Sequence, residues 1–136
     1  MKIELLGVVR DGSPRAGHIP ANSARTLEWP LGEAGEIAVT VVREDGSAVS
    51  LEPTDRVVIS VKKTSQQSGR TPGFRKEGTR TPPDARNRVV LTVEPTDTRA
   101  MLPGRFVYDC WLVRADGRHQ LVPLSAFLLG PAATLP

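Results

Sequence analysis

Apolar and polar residues alternate along most of this chain, and the repeat is two. Ile37, Val39 and Val41 interleave with Glu36, Ala38 and Thr40; Val57, Ile59 and Val61 interleave with Val58, Ser60 and Lys62. Val89, Leu91 and Val93 interleave with Val90, Thr92 and Glu94 in the same way. A repeat of two sends one set of side chains to each face of a pleated strand, while the 3.6 repeat of an amphipathic helix hardly occurs. Each run is rich in β-branched residues, which suit a half-buried pleated surface. Phe106, Tyr108, Cys110 and Leu112 alternate with Val107, Asp109, Trp111 and Val113, so this run is apolar on both faces and is expected to be a central strand. Weaker candidates cover 2–9, 24–30 and 119–129. Seven strands separated by turn signals predict two packed sheets.

The turns are written in specific chemistry. Asp45-Gly46 and Asp116-Gly117 each follow a strand pattern where the chain must reverse. Glycine takes the positive φ of such turns without a Cβ clash, and aspartate bonds back to the local backbone. Glu-Pro-Thr-Asp occurs at 52–55 and again at 94–97. In the second copy Thr96 is expected to cap a short helical turn, Asp97 to Met101, that Pro103-Gly104 stops. The first copy runs straight into a strand at Arg56. The copies stand in opposite order to the Asp-Gly turns, which indicates shared turn chemistry and not a duplication.

Residues 64–87 break the pattern. These 24 residues hold three glycines, three prolines and one large apolar side chain, Phe74. A loop of that length in a compact domain usually binds something or is disordered, and this composition supplies no core of its own. The segment also carries the chain's charge excess: Arg70, Arg75, Lys76, Arg80 and Arg86 stand against Glu77 and Asp84, while the rest has 13 basic and 13 acidic residues. Residues 10–23 and 131–136 lack core residues too and read as extended arms around a 24–130 core.

The 136 residues fit one domain able to bury roughly two thirds of its unfolded surface. The single cysteine, Cys110, excludes an internal disulfide and a multi-cysteine metal site, and fits synthesis in a reducing cytoplasm. Met1-Lys2-Ile3-Glu4-Leu5-Leu6-Gly7 places an acid where a signal peptide needs a continuous apolar run. No stretch approaches the ~18 apolar residues of a membrane helix.

Catalytic chemistry is sparse. His18 lies in a loop and His119 just after a hairpin, and no Gly-x-Ser-x-Gly elbow is present to activate a serine. Ser125 with His119 and Asp109 or Asp116 is the formal hydrolase candidate; a surface histidine explains His119 better. Cys110 beside Trp111 reads as a small buried hydrophobe, since a reactive thiolate needs positive, partly exposed surroundings. Glu44-Asp45 and Glu52 with Asp55 offer at most two carboxylates each, too few for a calcium loop. The basic segment lacks the several rings of a nucleic-acid stacking platform, having Phe74 alone. Trp29, Phe106, Tyr108, Trp111 and Phe127 fall within strands and are expected in the core, not on a sugar-binding platform. No cofactor, metal or catalytic residue is therefore assigned.

Gly104-x-Phe106-x-Tyr108-x-Cys110 is similar to the tyrosine and cysteine pattern of immunoglobulin strands. The expected fold class is thus all-β: a single immunoglobulin-like antiparallel β-sandwich of about seven strands with a long basic loop. A wider pattern resembles the small β-sandwich domains of tailed phages, in particular the N-terminal immunoglobulin-like domain of baseplate upper proteins. It consists of Asp45-Gly46 with Leu51, Val57-Val58-Ile59-Ser60-Val61, Asp97-Thr98, Gly104-Arg105-Phe106-Val107-Tyr108-Asp109, Asp116-Gly117 and Leu121. The longer basic loop and the absence of an Arg-Gly-Asp start depart from that family.

The resemblance implies a non-enzymatic structural protein of a bacteriophage virion, made in the host cytoplasm and present in many copies or as a homo-oligomer. An accessory protein decorating the capsid is the first expectation, and a tail or baseplate protein the alternative. The partners would be major capsid or tail and baseplate subunits, reached through Arg70, Phe74, Arg75, Lys76, Arg80 and Arg86. A binding module for host-surface carbohydrate or nucleic acid is the reading from a different class.

Overall fold

The computed structural model describes residues 1–9, 25–63, 73–80 and 86–131. The alternating runs become strands β1 (Lys2–Val9), β2 (Leu27–Pro30), β3 (Gly35–Arg43), β4 (Arg56–Lys62), β5 (Phe74–Gly78), β6 (Arg88–Val93), β7 (Gly104–Arg114) and β8 (Gly117–Gly130), with one short helix, α1 (Pro95–Arg99). They form a three-stranded sheet ordered β1-β3-β6 and a five-stranded sheet ordered β2-β8-β7-β4-β5. The molecule is an all-β sandwich. Between the sheets lies one core to which both contribute, with Ile37, Val39 and Leu91 from the first meeting Trp29, Ile59, Tyr108, Leu112 and Phe127 from the second.

Strand β7 is central, as its two apolar faces imply, between β8 and β4. Phe106, Tyr108, Cys110 and Leu112 point inward and are 0–5% exposed. Trp29 and Phe127 are fully inside as expected. Trp111 is the exception among the aromatic residues placed in the core by sequence. It falls on the odd register of β7 and lies on the outer face, only partly buried.

Two strand pairs are parallel, β1 with β3 and β2 with β8, which corrects the expectation of an antiparallel sandwich throughout. Periodicity reports which face a residue occupies and is blind to strand direction. Residues 10–34 separate β1 from β3, more than the dozen or so that a parallel crossover needs.

The Asp-Gly turns fold as expected but do different jobs. Asp116-Gly117 closes the β7–β8 hairpin, with Arg114 paired to Gly117 and a φ of 138° at the glycine. Asp45-Gly46 reverses the chain for only one bridge, Val42 to Ala48, with φ 88° at Gly46, before the chain crosses to the other sheet. The helical turn is present two residues earlier than expected. Glu94, not Thr96, is its cap: the Glu94 amide donates to the Asp97 carboxylate at 2.7 Å, and Pro95 fills the first helical position, where no amide bond is lost.

The segment 64–87 is not one loop. Its middle forms β5, which pairs antiparallel with β4 from Val57–Gly78 to Val61–Phe74. Five residues with one apolar side chain give no compositional signal. The strand exists because β4 offers a free row of backbone partners and because Phe74 reaches the core, its ring 5.8 Å from Phe127 in an edge-on contact.

Candidate functional site

Strand β5 ends the five-stranded sheet, and alternation splits its residues between two faces. Phe74 and Lys76 turn inward, Arg75 and Glu77 outward. The Lys76 ammonium reaches the Asp97 carboxylate at 2.7 Å, tying the edge strand to the turn of α1 with both side chains mostly buried. Arg75 is 64% exposed and pairs with Glu77 at 3.4 Å, and Glu77 also takes Arg56 at 3.3 Å. Charges on a short edge strand discourage pairing with another sheet.

Of the six residues assigned to partner binding by sequence, the structure brings few together. Phe74 is packed on the core and Lys76 is committed to Asp97. Arg80 donates to the Leu51 carbonyl at 3.2 Å, and the Arg86 carbonyl accepts from the Leu51 amide at 2.9 Å. Those two residues hold the chain between β3 and β4 in place. Arg75 and Arg86 keep exposed side chains, and Arg70 lies outside the described residues.

The hydrolase candidates do not converge. His119 and Ser125 both lie on β8, six positions apart, so roughly 20 Å of strand separates them. The Ser125 hydroxyl donates to the Pro123 carbonyl at 2.7 Å. His119 bonds the exposed Asp116 carboxylate at 3.2 Å, and that bond holds the Asp116 carboxyl below its ordinary range. His18 lies outside the described residues.

Cys110 is fully buried, and burial, reinforced by the neighbouring Asp109 charge, pushes its thiol up to about 12. Asp55 spends its carboxylate on structure: it accepts from the Glu52 amide at 2.8 Å and from the Arg114 guanidinium at 3.1 Å. The Asp45 carboxylate likewise accepts from the hydroxyl and amide of Ser47, which lowers its pKa. Among the described residues no three His, Cys, Asp or Glu side chains gather as a metal site would require. No described helix is long and apolar enough to cross a membrane.

Several residues that carry the sequence resemblance become structural. Leu51 is 1% exposed. Thr98 is fully buried, and its hydroxyl accepts from the Gly32 amide at 2.8 Å, joining the α1 turn to the segment between β2 and β3. The Tyr108 hydroxyl donates to the Arg25 carbonyl at 2.5 Å, 83 residues away. This bond pins the chain just before β2 to the centre of the sheet; its partner lies two residues ahead of β2 and not in a local corner of β7.

Sequence reasoning missed the outer face of the β4–β7–β8 layer. Trp111 lies there, with the Arg118 guanidinium 4.9 Å over its ring. Cross-strand register sets Val58 and Gln120 on either side of Trp111. The signal was present in the apolar odd positions of β7, which suggested a central strand but not a face left partly open to water. At one end of this layer a groove of about 350 Å³ runs between Lys63 and the Ala100–Phe106 segment, beside Leu102, which is 80% exposed.

No family model matches the chain, and neither does any curated protein. Among solved structures the chain is similar to the N-terminal domain of phage TP901-1 ORF48, with a TM-score of 0.49 and 10% identity over 97% of this chain and 99% of that one. It is also similar to a multicopper oxidase, with a TM-score of 0.37 and 12% identity over 94% of this chain and 44% of that one.

Proposed function

We propose that this chain is a non-enzymatic structural module of a tailed-phage particle, a rigid sandwich whose surfaces seat neighbouring virion proteins. One observation carries the reading: the turn residues and the inward-facing residues of the phage-type pattern serve the scaffold. Asp45-Gly46 and Asp116-Gly117 make turns, Leu51 and Tyr108 fill the core, and Asp97-Thr98 lock the α1 turn to β5 and to Gly32. A pattern whose turn and core positions specify a frame suits a protein whose task is to be positioned and to hold others. The candidate nucleophiles fit the same reading, since Cys110 is sealed in the core and the Ser125 hydroxyl is given to the Pro123 carbonyl.

The tail or baseplate is the placement adopted, because the resemblance itself is to a baseplate domain. Nothing in the geometry favours the capsid exterior. Multiple copies seated side by side would let individually weak contacts add up.

The test is localisation. Mass spectrometry and immunogold labelling of gradient-purified particles should find the chain in stoichiometric amount at the tail end. Labelling spread over the shell would transfer it to capsid decoration. Its absence from particles, or turnover of a substrate by the purified protein, would end the structural reading.

A further inference from the structure

The outer face of the five-stranded sheet is not the polar surface that the solvated side of an antiparallel layer normally presents. Register places Trp111 between Val58 and Gln120, Val107 between Lys62 and Ala126, and Leu128 beside Arg105. Val107, Trp111, Ala126 and Leu128 are only partly buried, and Leu124 is 43% exposed. Asp109, opposite Ser60 and paired with Lys62, parts these residues into a cluster at Trp111 and another of Val107, Leu124, Ala126 and Leu128. Apolar clusters that water still reaches mark a contact surface more often than a resting one.

The charges around these clusters decide what kind of surface they meet. Arg56, Lys62, Arg75, Arg105 and Arg118 lie on the face against Glu28, Glu77 and Asp109, five cations to three anions. Glu77 is taken by Arg56 and Arg75, and Asp109 by Lys62 at 3.8 Å. The remaining cations stand at opposite ends of the face: Arg105 opens β7, and Arg118 sits opposite Val113 with its guanidinium over Trp111. Those two rows are eight positions apart along β7, roughly 26 Å.

We infer that this face docks a protein partner presenting an apolar centre flanked by carboxylates, and that it does not pair with a second copy of this chain. Glu28 shares the Arg105 row through Leu128, yet the face as a whole keeps two more cations than anions. Stacking two copies would therefore oppose like net charge, which selects against that partner. A carboxylate at either end would instead meet Arg105 and Arg118, while the apolar centre covered Trp111 and its neighbours. Aromatic and arginine side chains in such a centre are the usual anchors of protein interfaces. The inference names a partner chemistry for the scaffold proposed above, but it rests on the register, exposure and charges of this sheet face and not on the phage-type pattern. The two can therefore fail separately.

The full chain can be tested with two synthetic helical peptides that share a leucine-rich centre, one flanked by glutamates and the other by lysines, and with a single-stranded oligonucleotide. Fluorescence anisotropy should show the glutamate peptide binding at least tenfold more tightly than the lysine peptide. The double variant Arg105→Glu/Arg118→Glu should reverse that preference. Trp111→Ala should weaken the glutamate peptide at least fivefold while circular dichroism and the thermal midpoint stay close to wild type. No binding of either peptide, equal binding of both, or a preference that survives the double variant overturns the inference. Tighter binding of the oligonucleotide replaces the protein partner with nucleic acid. Sedimentation that shows self-association abolished by Trp111→Ala overturns the choice of a foreign partner over a second copy.

Discussion

On one face of β7, Phe106, Tyr108, Cys110 and Leu112 are sealed between two sheets; on the other, Val107, Trp111 and Val113 lie one residue away along the same backbone and remain partly open. Asp109 apart, the two sets have comparable apolar character. What separates them is the second layer: β1-β3-β6 covers one face and no described element covers the other. The inner face thus holds the fold together, because its burial is complete and its polar atoms are satisfied, as the Tyr108 hydroxyl is by Arg25. Among the described elements nothing covers the outer face, which is why recognition of a partner is proposed there.

The sharpest way to break this division is to cut the inner layer. Phe127→Ala removes a fully buried ring that touches both Phe74 and Tyr108. Chemical denaturation should show a loss of about 3–5 kcal/mol, the cost of lost transfer energy plus a cavity. If the loss is no greater than that of an outer-face change, the two faces are not energetically distinct.

Next in size is Asp55→Ala, which takes the buried carboxylate away from Arg114 and from the Glu52 amide. Urea denaturation should show a loss of about 2–3 kcal/mol, the range for charge-assisted bonds to a buried group. Arg114→Ala in the same background should then cost little more, since the two side chains act as one unit.

Raising the pH separates the faces without mutation. Burial, reinforced by the Asp109 charge, pushes the Cys110 thiol from 9.0 to about 12. Burial and the adjacent Cys110 push the Tyr108 phenol from 10.0 to about 12. Between pH 9 and 12 the folded chain keeps protons that the unfolded chain has released. The associated stability is therefore complete below pH 9 and is lost as the pH rises toward 12. The slope should reach about 1.4 kcal/mol per pH unit for each group. Denaturation midpoints from pH 7 to 11 should begin to fall near pH 9, and in Cys110→Ala the fall should begin about one unit later.

The smallest effect is expected outside. Trp111→Ala deletes a half-open ring and its contact with Arg118, and should cost at most about 1 kcal/mol. A loss approaching that of Phe127→Ala would make Trp111 part of the core and withdraw the outer face as a recognition surface.

Alternation with a repeat of two placed seven of the eight strands, and the Asp-Gly pairs marked two reversals, because pleat geometry and positive φ are local properties that local residues must satisfy. Strand β5 was not legible: its pairing is supplied by the free edge of β4 and its anchor by Phe127, fifty-three positions away in the chain. Strand direction was likewise hidden, since a parallel and an antiparallel neighbour leave the same trace in the alternation. Of the basic residues singled out between 70 and 86, Lys76 and Arg80 proved to be internal ties, because charge can be counted along a chain but its partners belong to distant elements. The outer position of Trp111 follows from one parity step along β7, and parity takes a meaning only once a second sheet chooses which side to cover. Local chemistry wrote the elements and their turns; which face was buried, which edge was extended and which cations stayed free were decided by the packing of one layer on the other.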